Sequence, residues 1–327
     1  MRRTGQILSS LIPVIVLMVF VSGCGKQEIA ETEANKAIQR RAIEQVWNQK
    51  NLDLIDELHA PESVLHDPAK SGLSGPEGYR QFATMYQTAF PDVQFTIEDQ
   101  IAAGDKVAIR WTATGTHQAE LMGIPPTGVH ATTVGITINR IVDGKIVGEW
   151  PHWDALGQMQ QLGVIPPGRP TPEDYMWGTS SEATGDPGDP TANKAIVNRF
   201  IDEVWNQGKM DAMDEIVSTD TVGHTPTEPG SPIVGIEASK QAINVYRTAF
   251  PDLHLAIEDM LAEGDKVLTR WTSTGTHQGE LMGIPPTGKQ TVSSGIVISR
   301  IADGKIVENW WAWDALGLMQ QLTGAQE

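Results

Sequence analysis

The chain has 327 residues, of which 24 are lysine or arginine and 41 are aspartate or glutamate, giving a formal net charge of −17. Nucleic-acid binding requires clustered basic side chains, and no such cluster follows residue 41, so we exclude nucleic acid as a partner. Cys24 is the single cysteine, which excludes an intramolecular disulfide and a thiolate metal cluster.

The first 24 residues have the parts of an export signal. The basic start "MRR" precedes the apolar run "ILSSLIPVIVLMVFV", and small residues lead to Cys24. The stretch "VSGC" resembles a bacterial lipobox, in which Cys24 is acylated; an uncleaved membrane anchor is the alternative. We predict a lipoprotein signal peptide at residues 1–24, lipidation at Cys24, and an exported protein held at a cell-envelope membrane by its N-terminal lipid.

The remaining chain is a tandem repeat. "GTHQAELMGIPPTG" from Gly115 recurs as "GTHQGELMGIPPTG" from Gly275, and helical and C-terminal stretches recur with nearly the same spacing. Each unit of roughly 130 residues is a full domain rather than a short solenoid repeat. We place the domains at residues 34–165 and 192–324, joined by a Pro/Gly/Ser-rich linker at 166–191.

Both units show the same order of predicted elements. Apolar residues at helical spacing predict a first helix from about residue 35, a short second helix near 52–58 and a third over about 76–89. The period then changes to two, which predicts strands at "VQFTIEDQI", "KVAIRWTATGTH", "TTVGITINRI" and "KIVGEWPHWD". This order predicts α+β domains, each with three N-terminal helices packed on a curved antiparallel sheet. The concave mouth of such a domain suits a small molecule.

The last strand carries the candidate pocket residues. Alternation places Trp150, His152 and Asp154 on one face and Glu149 and Trp153 on the other, and a bulge would exchange the faces. We take the first face as the pocket. The expected pocket side chains are Trp150, His152 and Trp310, together with Tyr86 and Tyr246 from the third helix of each unit.

Asp154 and Asp314 are the candidate acid/base residues. A carboxylate among tryptophans is desolvated, which raises its pKa and allows it to accept and donate a proton. The alternative is that each aspartate caps the helix that follows, and the two roles can coexist.

Three further histidine observations concern the site. His66 and His224 are duplicated at the end of the helical part, where a structural hydrogen-bonding role is the alternative. His117 and His277 lie in the repeated loop, and loop-anchoring hydrogen bonds explain them. The histidines show no metal-ligand spacing of the HExxH kind, and no nucleophile elbow, phosphate loop or dinucleotide fingerprint occurs, so we expect neither a metal nor a cofactor.

The motifs "VWNQ", "HDP", "FPD", "GTHQAELMGIPPTG", "RIVDGKIVGEW" and "WDALGQMQQLG" together resemble the SnoaL-like polyketide (ester) cyclase family, over nearly all of both units. The resemblance implies a nuclear transport factor two-like cone fold and a cofactor-independent intramolecular aldol cyclisation of a small hydrophobic oxygenated molecule. The family's general acid/base aspartate corresponds to Asp154 and Asp314, and its pocket histidine to His66 and His224. Domains of the family commonly pair through their sheets, which implies an intramolecular pseudo-dimer.

The two copies differ within the proposed pocket. His152 is replaced by Ala312, and the pairs Asp67/Thr225 and Glu149/Asn309 also differ in chemistry. Either the two pockets take different ligands or one has lost its chemistry. The alternatives to a cyclase are a related dehydratase or isomerase, and a non-catalytic envelope lipoprotein that binds a small hydrophobic ligand.

Overall fold

A computed structural model describes residues 29–67, 73–166, 177, 185–225 and 232–324. The predicted signal peptide and the lipidation site at Cys24 lie outside the described residues, as does most of the predicted linker. Within the described ranges, no helix is both long and apolar enough to cross a membrane.

The first domain contains the predicted helical layer followed by strands. Its helices are α1 (29–41, continued by a π-helix at Ala42–Asn48), α2 (Ile55–Leu58, preceded by a 3-10 turn at Leu52–Leu54), α3 (Gly75–Ala89) and α4 (Ala155–Gln161). Its strands are β1 (His59–Leu65), β2 (Gln94–Ala103), β3 (Lys106–Thr116), β4 (His130–Val142) and β5 (Lys145–Trp153).

The second domain repeats this order. Its helices are α5 (Pro190–Arg199, continued by a π-helix at Phe200–Asn206), α6 (Ala212–Ile216), α7 (Ile236–Ala249) and α8 (Ala315–Thr323). Its strands are β6 (Val217–His224), β7 (Ile233–Val234), β8 (His254–Glu263), β9 (Lys266–Thr276), β10 (Gln290–Ala302) and β11 (Lys305–Trp313). The predicted α+β fold class, with three N-terminal helices on a sheet in each domain, is confirmed.

One strand of each domain lies where the sequence showed only helix and loop. The sheet orders are β1-β5-β4-β3-β2 and β7-β6-β11-β10-β9-β8, and β1 and β6 pair in parallel with β5 and β11. The expectation of a purely antiparallel sheet is therefore wrong for β1, the edge strand of the first sheet, and for β6, which lies between β7 and β11 in the second. The stretch His59–Leu65 contains Pro61 and lacks a clean alternation, and its burial comes from pairing with β5 rather than from a pattern of its own.

The helices cover one face of each sheet and close its hydrophobic core. In the first domain Val46 and Ile55 from the helical layer are fully buried in one cluster with Val107 and Ile146 from the sheet. Burying a side chain of this size contributes about 1.5–3 kcal/mol to folding. The helical layer is thereby fixed over the sheet, and it forms the upper wall of the cavity described below.

The opposite faces of the two sheets pack against each other. One buried cluster joins apolar side chains from both domains: Ile101, Ala108, Ile136, Ile138, Leu261, Leu268, Ile296, Ile298, Trp310 and Ala312. Two ion pairs flank it, with Lys106 Nζ 2.7 Å from Asp259 and Lys266 Nζ 3.0 Å from Asp99. Each residue of one pair is the repeat equivalent of a residue in the other, so the same contact is made twice.

Two arginines cross this contact in the same reciprocal way. The Arg110 guanidinium lies over the Trp310 ring at 4.7 Å from its centroid, and Arg270 lies over Trp150 at 5.4 Å. A guanidinium at this distance from an indole face is attracted by the negative potential of the ring. The strand residues that face away from the helices are thus occupied by contacts between the domains.

Candidate active site

Each domain holds a cavity between its helices and the concave face of its sheet. The cavity volume is about 90 Å³ in the first domain and about 130 Å³ in the second. The side chains that line the first cavity are mostly aromatic or aliphatic and include Trp47, Tyr79, Phe82, Tyr86, Trp111 and Trp153. This lining is typical of sites for small apolar molecules.

The last strand of the first domain presents Glu149, Pro151 and Trp153 to this cavity. Trp150 and His152 alternate with them and point to the opposite face of the sheet. Regular pairing with β4 from residue 148 to residue 153 maintains the alternation, because the irregularity in the ladder comes earlier, between Arg140 and Ile141. The predicted alternation is therefore right, but the cavity lies on the other face.

The expectation that Trp150, His152 and Trp310 line a pocket is wrong. His152 Nε2 lies 2.9 Å from Ser294 Oγ of the second domain, and the two tryptophan rings lie under the arginines described above. Burial and the charge of Arg270 lower the pKa of His152 to about 3, so the imidazole is neutral. Both faces of each sheet are buried, one by helices and one by the other domain, and strand alternation alone cannot tell them apart.

Asp154 and Asp314 cap the helices that follow the last strands. The Oδ1 atom of Asp154 accepts a hydrogen bond from the Gly157 N–H at 2.8 Å, and Asp314 accepts one from Gly317 at the same distance. Burial raises the pKa of Asp314, and the Gly317 hydrogen bond partly offsets this. Neither aspartate is among the residues that line the cavities, so the geometry matches the helix-capping alternative.

His66 and His224 also lie away from the cavity linings. The exposed His66 ring stacks on Trp150 with a centroid distance of 4.6 Å. His224 is buried, with Nε2 at 2.8 Å from Glu308 Oε1, and Arg300 pairs with the same carboxylate. These contacts belong to the face of the sheet that meets the other domain.

The loop histidines hold their own loops. His117 Nδ1 lies 3.2 Å from Thr127 Oγ1, and His277 Nδ1 lies 3.1 Å from Thr287 Oγ1. Tyr86 and Tyr246, by contrast, do line the cavities of their domains.

Glu149 is the buried carboxyl group of the first cavity. It is 8% exposed, and none of the described lysines or arginines forms an ion pair with it. Burial, together with the charge of Asp67, raises the pKa of Glu149 to about 8. Asp67 is itself only 6% exposed. A carboxyl group with this pKa is largely protonated at neutral pH and can still lose its proton, which suits acid/base chemistry.

The charges of Glu149 and Asp67 affect the pKa values of two tyrosines in the cavity lining. Burial and the charge of Glu149 raise the pKa of Tyr79, and burial and the charge of Asp67 raise that of Tyr86. Both tyrosines therefore keep their phenolic proton, and both line the cavity. A protonated phenol can donate a hydrogen bond to an oxygen of a bound molecule.

Sequence reasoning noted Glu149 and Asp67 only as places where the repeats differ. The second cavity has Asn309 at the equivalent of Glu149 and Thr225 at the equivalent of Asp67, and its lining includes no aspartate or glutamate among the described residues. The joint loss of two acidic residues in one copy was the available signal. It was missed because the pocket was placed on the other face of the strand.

The described residues contain no group of three or more His, Cys, Asp or Glu side chains that could hold a metal ion. The polar groups at the first cavity are carboxyl, hydroxyl, amide and indole groups of separate residues.

These two cavities, each beneath a layer of helices on a curved sheet, define a protein with two nuclear transport factor two-like cone domains. The family model for SnoaL-like polyketide cyclase matches residues 37–162 and 195–322. The chain belongs to the SnoaL-like polyketide cyclase family and carries two tandem copies of its domain.

Similar proteins match a stretch of this chain about as long as one domain. Aklanonic acid methyl ester cyclase DnrD of Streptomyces peucetius is 30% identical over 128 residues, which cover 39% of this chain and 88% of that protein. Nogalonic acid methyl ester cyclase of Streptomyces nogalater is 29% identical over 120 residues, covering 36% and 88%. The solved structure of TsrD from Streptomyces laurentii is 28% identical and covers 42% of this chain and 99% of that one, with a TM-score of 0.38.

Proposed function

We propose that the first domain is a cofactor-independent cyclase that closes a ring by an intramolecular aldol reaction on a small hydrophobic oxygenated molecule. The observation that carries the proposal is Glu149, a buried carboxyl group at an apolar cavity, whose pKa is raised to about 8 by burial and by Asp67. The names of the relatives, which are ester cyclases, support the same class of reaction.

The proposed reaction needs one base, one acid and a hydrogen-bond donor. The ionised form of Glu149 removes a proton from the carbon next to a carbonyl group, and its raised pKa makes it a stronger base than an ordinary glutamate. The enolate oxygen accepts a hydrogen bond from Tyr86 or Tyr79. The enolate carbon then bonds to a second carbonyl carbon, and the protonated Glu149 returns its proton to the new alkoxide. No atom is lost, and nothing is oxidised or reduced.

Asp154 is the competing base, because the family resemblance assigns it that role. Its hydrogen bond to Gly157 ties it to the helix end, whereas Glu149 lies in the lining of the cavity. The two assignments predict different outcomes for conservative substitutions. Glu149→Gln removes the base we propose, and Asp154→Asn removes the other.

The experiment uses aklanonic acid methyl ester and nogalonic acid methyl ester as test substrates, and a small-molecule extract of the native cells as a third source. An aldol ring closure keeps the mass of the substrate, so chromatographic retention must be followed together with mass. We expect Glu149→Gln to lower turnover by about 10²–10⁴-fold, the usual contribution of a positioned acid/base group. Asp154→Asn should retain most of it. Loss of turnover in Asp154→Asn with turnover intact in Glu149→Gln would contradict the assignment.

A non-catalytic binding role is the second candidate, and the second domain favours it. Its cavity has an amide, Asn309, where the first has the carboxyl group of Glu149. If no compound from any of the three sources is converted, this role extends to both domains.

We also propose that the protein is exported and tethered through Cys24, and that its domains act as an intramolecular pseudo-dimer. The small residues before Cys24 support the first, and the reciprocal contacts of Arg110 and Arg270 support the second. Incorporation of labelled palmitate that disappears in Cys24→Ser tests the tether. Arg110→Ala should loosen the domain contact without producing dimers, as measured by small-angle scattering.

A further inference from the structure

One tryptophan from the stretch between the domains is seated on the first sheet, on the face that points away from the helices. Trp177 packs against the buried cluster that joins the domains, and its Nε1 donates to the Trp111 carbonyl at 3.0 Å. The Arg110 guanidinium lies over the Trp177 ring at 5.7 Å and over the Trp310 ring at 4.7 Å. We call the position formed by Arg110, Trp310 and the Trp111 carbonyl the first socket. An indole of the chain itself fills it.

The repeat builds the same position a second time. Arg270 lies over the Trp150 ring at 5.4 Å, and Trp271 is the equivalent of Trp111. The irregularity in the β2–β3 ladder beside Trp111 recurs in the β8–β9 ladder beside Trp271. We call Arg270, Trp150 and the Trp271 carbonyl the second socket.

The second socket is more open than the first. Arg110 is 6% exposed, whereas Arg270 is only half-buried. Thr112, two residues along the strand from Arg110 and on the same face, is 5% exposed, whereas its equivalent Thr272 is half-buried. Among the described residues, Trp150 is the only ring in contact with the Arg270 guanidinium. The position that Trp177 takes in the first socket has no described counterpart in the second.

The first socket shows which chemistry fits the second. The negative face of an indole ring is attracted by the guanidinium, and the indole N–H matches a main-chain carbonyl. Trp177 lies outside the helices and strands, so the group that fits is a tryptophan side chain on an irregular segment of chain. Trp177 can fill one socket only, and the duplicated domain therefore presents one filled and one open copy.

We propose that the second socket is a docking site for a tryptophan side chain presented by an irregular peptide segment of a partner protein. The ring would cover the Arg270 guanidinium, and its N–H would donate to the Trp271 carbonyl, as Trp177 does in the first socket. This inference goes beyond the proposed cyclase, because the socket lies on the sheet face away from the cavities and docking requires no turnover.

The test titrates the full chain, labelled with nitrogen-15, with a synthetic peptide that copies residues 171–180, "TPEDYMWGTS". In the nuclear magnetic resonance spectrum, the Trp150 indole N–H and the Arg270 Nε–H report on the second socket. The corresponding signals of Trp310 and Arg110 report on the first. The same peptide with alanine in place of tryptophan is the control ligand.

We expect the tryptophan peptide to shift the Trp150 and Arg270 signals saturably. The Trp310 and Arg110 signals should stay in place, because Trp177 already fills the first socket and competes from within the same chain. Arg270→Met removes the guanidinium and should weaken the binding by about tenfold. Absent shifts in the native chain, or equal shifts with the alanine peptide, would overturn the proposal. Both comparisons need no variant, so they stand even if a variant fails to fold.

Trp177→Ala tests the equivalence of the two sockets. It empties the first socket, so the peptide should now shift the signals of both. Shifts at the first socket alone would overturn the proposal. Sedimentation of the native chain distinguishes a partner from a second copy, and we expect a monomer. A dimer that dissociates in Arg270→Met would make a second copy of this chain the occupant and would also overturn the proposal.

Discussion

Glu149 and Asn309 occupy the same position on the last strands of the two domains, and each side chain lines the cavity of its own domain. Glu149 lies opposite Asn139 on the neighbouring strand, and Asn309 lies opposite Ser299, whose hydroxyl it accepts from. One chain thus holds a carboxyl group and an amide at equivalent points in two similar cavities. The chemical difference between the domains is concentrated at this pair.

The pH dependence of turnover should report the pKa of Glu149. If its ionised form is the base, kcat/KM rises with pH and levels off above about 8. Asp67→Asn removes a negative charge that helps to raise this pKa, so the rise should move to lower pH. A pH–rate profile of the two proteins provides the measurement. A profile that stays in place in Asp67→Asn would show that another group is titrating.

Glu149 should also make stability depend on pH. Its pKa is raised from 4.5 to about 8 in the folded protein, so its protonated form is favoured by folding. This contribution is complete below pH 4.5 and is lost as the pH rises towards 8, at roughly 1 kcal/mol per pH unit. Urea unfolding of native protein and Glu149→Gln between these limits tests it. The variant should show a flatter dependence, and parallel curves would contradict the assigned pKa.

Removing either helix cap should lower stability. Asp154→Ala leaves the Gly157 N–H without its side-chain acceptor and should cost about 1 kcal/mol of unfolding free energy, and Asp314→Ala should cost about the same. Asp154→Ser restores a capping oxygen and should recover most of the loss. Urea unfolding of the variants provides the measurement. Equal losses of unfolding free energy in the alanine and serine variants would mean that the side-chain cap does not stabilise the helix.

The contact between the domains should weaken in acid. His152 is buried and neutral, with a pKa lowered from 6.5 to about 3, so folding opposes its protonation. Its contribution is present above pH 6.5 and is lost as the pH falls towards 3, at roughly 1 kcal/mol per pH unit. His152→Ala, which copies Ala312 of the second domain, should reduce this acid dependence. His59 is also buried and neutral, with a pKa near 4. The measurement is therefore the difference in unfolding free energy between the native protein and His152→Ala as the pH falls from 6.5 to 3. A difference that does not change with pH would contradict the prediction.

Two glycines give the cavity tryptophans their space. A Cβ atom on Gly135 would lie 2.3 Å from the Trp111 ring, and one on Gly295 would lie 2.3 Å from Trp271. Gly135→Ala and Gly295→Ala should each destabilise the protein by about 1–3 kcal/mol, because the ring or the strand must move. Gly223→Ala is the matched strand control, since its nearest neighbour would be 3.6 Å away. Thermal unfolding of the three variants would decide, and a similar loss in all three would contradict the steric explanation.

The spacing of apolar residues determined much of the fold, because most of the helices and strands carry a periodic pattern of their own. Apolar spacing placed the long third helix near Gly75–Ala89, and alternation placed the strands that pair within the antiparallel ladder. The strand His59–Leu65 escaped prediction because its burial depends on a partner strand far along the chain. Periodicity records which side of an element is buried, but it does not record a partner.

The sequence by itself determined that the chain is duplicated, that each copy is an α+β domain, and that the two copies differ at Glu149 and Asn309. Only the tertiary structure decided which face of the last strand meets the cavity. Both faces are buried, one under the helices and one against the second domain. From the sequence alone, either Trp150 or Trp153 could therefore line the cavity. The raised pKa of Glu149 is likewise a tertiary property. Its burial and the neighbouring charge of Asp67 arise only when β5, β1 and the helical layer pack together.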